Sequence, residues 1–529
     1  MEHYDAVVIG AGFAGLYALH RLRNEMGLNV LVVDAEPSVG GTWYRNRYPG
    51  ARCDVESTYF SYSFDGQLQQ DWTWPHRYAY QPEVLEYLNH VADRFDLRRS
   101  IALNTRCDGA RWDAASSRWT VGLGERTASA RFLITATGGT GDPNIPDFPG
   151  LDRFEGTVAH TLTWPENLDL AGKKVAVLGT GSSGIQVVVA AAEVAEEVTV
   201  LQRTASWVVP AWNHVMTPEQ TAQIKADYAD LRAVARTTTG GATVADPAGS
   251  GHELSVAERR DVLDDRWAQG GFHFLFPFLE SLTEPVVNRF SADYIAGKIR
   301  ETVDDLATAE LLIPGQDAPP VGARRLCIDT DWYATFNRDN VHLVDLNEQP
   351  LGDVSDLDAD VLVLATGVTG GLGALGRLDI VGRDGQSLQD AWSPGPKTYL
   401  GMTAPGFPNL FVLSGPGSPA SLVCAPPCAE MQVDWVSGLI GHVMQRDAAV
   451  VEPTEESAGI WGNMIRSLAE SSLYSKEERY HASEDAGAEF TPFATGLADY
   501  RRICEDIADA GYRGFEFPVN DPDATRRPG

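Results

Sequence analysis

Positive charge is scarce in this chain. Lysine and arginine total 42 against 73 aspartates and glutamates, a net charge of −31. Such a surface repels polyanions, so neither nucleic acid nor an anionic membrane is an expected partner. Cysteine is scarce too. The six thiols, Cys53, Cys107, Cys327, Cys424, Cys428 and Cys504, are too few in 529 residues for a disulfide framework. No two of them stand in C-x-x-C spacing. Cys424 and Cys428 enclose Ala425-Pro426-Pro427, which leaves only a weak case for a redox pair. No apolar run reaches the ~18 residues of a membrane span. The opening MEHYDAVVIGAGFAG has no basic leader and no cleavage site. A cytoplasmic globular protein is therefore expected. At roughly 100–200 residues per domain, two to four domains would form.

Glycine, by contrast, stands where it carries information. DAVVIGAGFAGLYALHRL reads as an apolar strand, then Gly10-x-Gly12-x-x-Gly15, then a helix; NVLVVDAE follows as a second strand ending in Asp34. Gly10 allows a tight turn, Gly12 lets backbone approach a pyrophosphate, and Gly15 lets helix and strand close up. The helix N-terminus faces the anion, and an acid at Asp34 suits a ribose diol. The unit recurs in KKVAVLGTGSSGIQVVVAAAEVAEEVTVLQRT, with Gly179, Gly181 and Gly184. Where the first unit has Asp34, the second has Arg203 followed by Thr204. An acid there would repel a 2′-phosphate, whereas an arginine clamps one. The first unit thus suits FAD and the second NADPH. RFLITATGG (131–139) and DVLVLATGV (360–368) both end in Ala-Thr-Gly, as a strand returning to each nucleotide would. The expected fold class is α/β: two Rossmann-like dinucleotide-binding domains, for FAD and NADPH, with a helical insertion. Flavin reduced by NADPH is the implied half-reaction.

Disulfide reductases pair the same cofactors but need a C-x4-C pair at the flavin, and this sequence has none. The loop after the first unit instead reads VGGTWYRNRYPGARCDVESTYFSYSF, and FEGTVAHTLTWP (154–165) precedes the second unit. Phe154, Gly156, His160, Trp164 and Pro165 fill every place of F-x-G-x3-H-x3-W followed by Pro or Asp. With RNRYPG, GTGSSGIQ, FNRDNVHLVD, TYLGM and FPNLFVLSGPGSP, the chain resembles the type I Baeyer–Villiger monooxygenases essentially end to end.

The resemblance implies a C4a-peroxyflavin that inserts oxygen beside the carbonyl of a small-molecule ketone, using NADPH and O2 and giving an ester or lactone. Arg325 takes the place of the family's catalytic arginine and Asp54 that of its aspartate partner. Arg324 replaces the lysine that touches the 2′-phosphate. Residues expected at FAD are Gly10, Gly12, Ala14, Gly15 and Asp34, joined through the resemblance by Thr42, Trp43, Asp54 and Phe60. Phe60 stands where relatives often carry Tyr. Residues expected at NADPH are Thr180, Gly181, Ser182, Ser183, Gly184, Gln186, Arg203 and Thr204, joined by Arg52, Cys53 and Arg324. His160 and Trp164 are expected to anchor the linker between domains, which GDPNIPDFPG (141–150) enters as an extended connector. No metal is expected.

The expected organisation is an FAD domain (1–142) interrupted by the NADPH domain with its linker (143–210), a helical insertion (211–320) and the rest of the NADPH domain (321–377), then resumed (378–529). Within the insertion, TPEQTAQIKADYADLRAVAR and ELSVAERRDVLDDRWAQ read helical and TTTGGATVADPAGSGH (237–252) reads as a flexible loop. SLVCAPPCAE (421–430) falls near the ketone pocket by family position. The family's C-terminal loop S-W-Y-x-G-A-N-x-P-G-K is altered: at best Tyr480-His481 replaces its Trp-Tyr. An N- or S-oxidising flavin monooxygenase and an uncoupled NADPH oxidase are the competing readings.

Overall fold

The computed structural model describes residues 1–139, 141–316, 318–369, 372–419, 422–473 and 492–518. Tyr480 and His481 lie outside the described residues. The molecule is organised around two sheets. The first has eight strands among the described residues, in the order Asp379–Val381, Gly109–Asp113, Arg118–Leu123, Arg126–Thr135, Glu2–Ile9, Val30–Val33, Ile101–Ala102, with Leu410–Val412 also on Arg126–Thr135. Its parallel centre sets Ala6–Ile9 opposite Val30–Val33. Both faces there are covered, so the strands read as unbroken apolar runs. Its antiparallel flank is different: Arg118–Leu123 alternates half-buried and buried residues, the sign of one covered face.

The second sheet runs Val341–Asp345, Glu197–Gln202, Lys174–Leu178, Val361–Leu364, Thr157–His160, all parallel. Val361–Leu364 is buried throughout, as a central strand between helices must be. Thr157–His160 forms one edge. The fingerprint histidine, expected to anchor the linker, therefore also ends a strand of this sheet. The true crossing lies just upstream and is double. Pro143 bridges Val368, Asn144 N–H donates to the Gly367 carbonyl at 3.0 Å, and Thr369 N–H to that of Asp142 at 2.8 Å. Two chain segments thus run side by side between the sheets.

A short parallel pair, Val208–Val209 with Cys327–Ile328, closes the excursion between them. Within it, helices start where sequence chemistry starts them. Thr217 and Gln220 form a reciprocal capping box with Pro218 at the first helical position, opening Pro218–Ala235. Ser255 and Glu258 do the same for Val256–Gln269. Pro285–Thr302 and Leu306–Leu312 complete it. Residues 237–252, read as a flexible loop, have no regular structure but are stitched to the FAD side. Thr239 O accepts from Leu497 N–H at 2.7 Å, Gly240 O from Cys424 N–H at 2.8 Å, and Thr243 Oγ1 meets the Tyr59 hydroxyl at 2.6 Å.

Candidate active site

The two glycine loops solve one steric problem with the same parts. A Cβ added at Gly15 would stand 1.8 Å from the Gly10 carbonyl oxygen, and one at Gly184 would stand 2.0 Å from that of Gly179. Gly10 and Gly179 have φ of +110° and +107°, and each leans on the alanine of an Ala-Thr-Gly, Ala136 and Ala365. The helices Phe13–Leu19, which holds Ala14, and Ser182–Ala192, opened by Ser182 and Ser183, thus start against their strands. The space each loop leaves fits a dinucleotide. A Cβ on Gly181 would meet nothing within 4 Å, and one on Gly12 only the Gly41 backbone, from 3.6 Å. A pyrophosphate can therefore approach the bare backbone and the helix N-terminus.

The strand ends differ. Asp34 is drawn into its loop: its carboxylate accepts N–H from Ala11 at 2.7 Å and from Glu36 at 2.9 Å. Arg203 and Thr204 are exposed. Only their backbone is tied, with Thr180 Oγ donating to Thr204 O at 2.8 Å and Asn347 Nδ2 to Arg203 O at 2.7 Å. Beside the first loop, Trp43 stands edge-on to Phe60, ring centres 5.3 Å apart, and Phe60 edge-on to Phe13 at 5.4 Å. Thr42 is exposed at the start of the short helix Thr42–Arg45.

The structure also brings together Asp54 and Arg325, 271 positions apart in sequence. The Arg325 guanidinium faces the carboxylate as a fork: Nη2 donates to Oδ1 at 2.8 Å and Nε to Oδ2. Both side chains are about a quarter to a third exposed, so the pair borders open space. Phe272 lies under the guanidinium, 5.0 Å from ring centre to Cζ. Arg324, next in line, is exposed. Cys53 and Cys424 are buried, and burial, as the largest cause, pushes both thiols well above their ordinary values. They remain neutral walls. All six cysteines are free, so Cys424 and Cys428 form no disulfide.

Arg52, expected on the nucleotide side, engages Asp329 in a buried ion pair. Gln186 is buried, accepting from the Tyr48 hydroxyl at 2.9 Å and donating to Arg52 O at 3.4 Å. Sequence reasoning missed Asp329, Tyr48 and Phe272. Asp329 lies in the same RRLCIDTD run as Arg325, and Phe272 follows Gly270-Gly271, where the helical pattern breaks; both were open signals.

His160 is buried and doubly held. Leu162 N–H can only donate, so Nδ1 accepts it, at 3.0 Å. The Gly367 carbonyl can only accept, so Nε2 carries the proton, at 2.9 Å. Burial lowers the His160 pKa, against the pull of the Gly367 bond. Trp164 is buried in the core around the second sheet. The fingerprint thus fastens onto the second Ala-Thr-Gly, Ala365-Thr366-Gly367.

Among the described residues no helix is long and apolar enough to cross a membrane. Residues 4–237, which hold both glycine motifs, match the family model for pyridine nucleotide-disulphide oxidoreductases. A Baeyer–Villiger monooxygenase of Pseudooceanicola batsensis is 38% identical, with 96% of this chain and 95% of that one covered. Phenazine N-monooxygenase PhzNO1 of Lysobacter antibioticus is also 38% identical, over 97% of each chain. The solved structure of an oxidised steroid monooxygenase bound to NADP superposes with a TM-score of 0.93 at 44% identity, covering 98% of this chain and all of that one. The twin glycine loops, the Asp54–Arg325 fork and full-length likeness lead to one conclusion: the chain belongs to the Baeyer–Villiger monooxygenase family.

Proposed function

We propose that the protein converts a ketone, O2, NADPH and a proton into an ester or lactone, NADP+ and water. The observation that carries this reading is the forked Asp54–Arg325 pair in a chain that also holds an FAD-type and an NADPH-type glycine loop. When bound, FAD would supply the redox chemistry, taking reducing equivalents from NADPH for the activation of O2. The rest of the reaction asks for a fixed positive charge where negative charge develops on the ketone oxygen. Arginine supplies it at any working pH, because its guanidinium does not deprotonate in proteins. Asp54 accepts from Nε and Nη2, which orients the guanidinium as a fork. The neutral Cys53 and Cys424 thiols near Asp54 offer no competing nucleophile.

In this reading Gly10, Gly12, Ala14, Gly15, Asp34, Thr42, Trp43 and Phe60 hold FAD. Thr180 to Gly184, Gln186, Arg203, Thr204 and Arg324 hold NADPH. Six unpaired thiols suit a reducing compartment, the cytoplasm. The test is product analysis with a panel of ketones, comparing the native enzyme with Arg325→Ala. Ester should form with the native enzyme and fall by about 10²–10³ in the variant, the usual loss for one such donor. Ester formation undiminished in Arg325→Ala would overturn the reading. A second reading is N-oxidation, favoured by the equal similarity of the Lysobacter antibioticus N-monooxygenase. Heteroaromatic amines in the same panel decide it: an N-oxide without ester would make this the better reading.

A further inference from the structure

Two ion pairs of opposite polarity lie next to each other across the junction of the two nucleotide domains. In the open one, the acid (Asp54) belongs to the FAD-side loop and the arginine (Arg325) to the returning segment. In the closed one the loop supplies the arginine, Arg52, and the segment supplies the acid, Asp329. The partners stand only two positions apart on the loop and four apart on the segment. The closed pair is sealed: the Arg52 side chain is 8% exposed and that of Asp329 1%.

Each partner of the closed pair is fixed before they meet. Asp329 Oδ1 accepts N–H from Asp331 at 2.8 Å and Trp332 at 2.9 Å, which turns Oδ2 toward Arg52. Its own N–H donates to Val209 O at 2.9 Å. Arg52 is anchored from the other side. Its backbone bridges Tyr80, Cys53 N–H donates to Ala79 O at 2.9 Å, and its guanidinium also reaches the Gly50 and Ile328 carbonyls at 3.3 and 3.4 Å. Replacing a buried ion pair by packed apolar side chains is often neutral or stabilising, so stability alone does not account for this one.

We propose that Arg52 and Asp329 form a positioning latch that sets where the Arg325 guanidinium stands over Asp54. The inference rests on the reading of Arg325 given above. The pair clamps the segment Arg325–Asp329 at its far end, and Cys327 Sγ, 3.5 Å from Ser182 Oγ, ties its middle to the second nucleotide helix. Arg325 therefore has little freedom left except at its own side chain. An exchange of partners would pair each acid with the arginine of its own segment and so undo both bridges between the loop and the returning segment.

The test uses the flavin-loaded enzyme and Asp329→Asn, which keeps the shape and both backbone hydrogen bonds. Amide exchange in the peptide spanning 322–332 should speed up, and ketone conversion should fall about 10²-fold, as for an ångström-scale misplacement of a catalytic group. Peroxide released per NADPH should rise. In an Arg325→Ala background, Asp329→Asn should add no further loss, because the latch acts only through that side chain. Arg52→Met/Asp329→Asn, which leaves no unpaired buried charge, serves if the single variant does not fold, with the same expected results. Losses that multiply with Arg325→Ala, or wild-type conversion with unchanged amide exchange, would overturn the latch alone. Full ester formation by Arg325→Ala would instead mark the reading of Arg325 as the failure.

Discussion

The two nucleotide loops share a backbone and differ in a side chain. Gly10 and Gly15 rest against Ala136 as Gly179 and Gly184 rest against Ala365, with near-identical close approaches. At the strand ends the likeness stops: Asp34 is folded into its loop by two N–H donors, while Arg203 points to solvent. Binding a pyrophosphate is thus a property of chain path, copied whole. What differs is one residue set on that path, an acid in the first unit and an arginine in the second.

The largest effect expected from this comparison comes from the close approaches. Gly15→Ala and Gly184→Ala each force a Cβ into a carbonyl and should destabilise their own halves by about 1–3 kcal/mol or more. Gly15→Ala should purify without flavin colour. Gly184→Ala should purify yellow, yet resist anaerobic bleaching by NADPH. Flavin loss in Gly184→Ala would show that the halves are less independent than their geometry suggests. Next in size is Arg203→Ala. The preference for NADPH over NADH, measured as the ratio of kcat/KM, should shrink by about 10- to 100-fold, the worth of one charge-assisted hydrogen bond. An unchanged ratio would move the selectivity to Arg324.

The smallest effect concerns His160. Its folded-state pKa lies below the ordinary value of about 6.5 because burial disfavours the cation. A lowered value means stability that is complete above 6.5 and lost as pH falls through the folded-state value. Protonation would also turn Nδ1 into a donor facing the Leu162 N–H. The native protein should therefore lose thermal stability faster than His160→Gln between about pH 7 and 5. Parallel Tm curves for the two would refute this.

How far sequence carried is clear from particular residues. Both glycine units, their Ala-Thr-Gly partners and the capped helices at Pro218 and Val256 were legible because each depends on neighbours within a few positions. Asp54 and Arg325 were legible only through resemblance, since nothing local says that they meet. Asp329 was overlooked for the same reason: its partner Arg52 lies in another domain, and a carboxylate after a short strand looks like an ordinary cap. The fingerprint was legible as a pattern expected to anchor the linker, but not as a strand. An edge strand four residues long, Thr157–His160, is defined by its pairing with Val361–Leu364, which lies about two hundred positions away.

The route of the chain through the first sheet carries a consequence for its birth. Arg126–Thr135 takes Leu410–Val412 as a neighbour, and Gly109–Asp113 takes Asp379–Val381. During translation the FAD sheet must wait, incomplete, until the whole inner domain has left the ribosome, whereas that inner domain holds all its own strands and can fold first as a unit. A nascent chain stalled before residue 410 would hold every strand of the second sheet beside a first sheet still lacking Leu410–Val412.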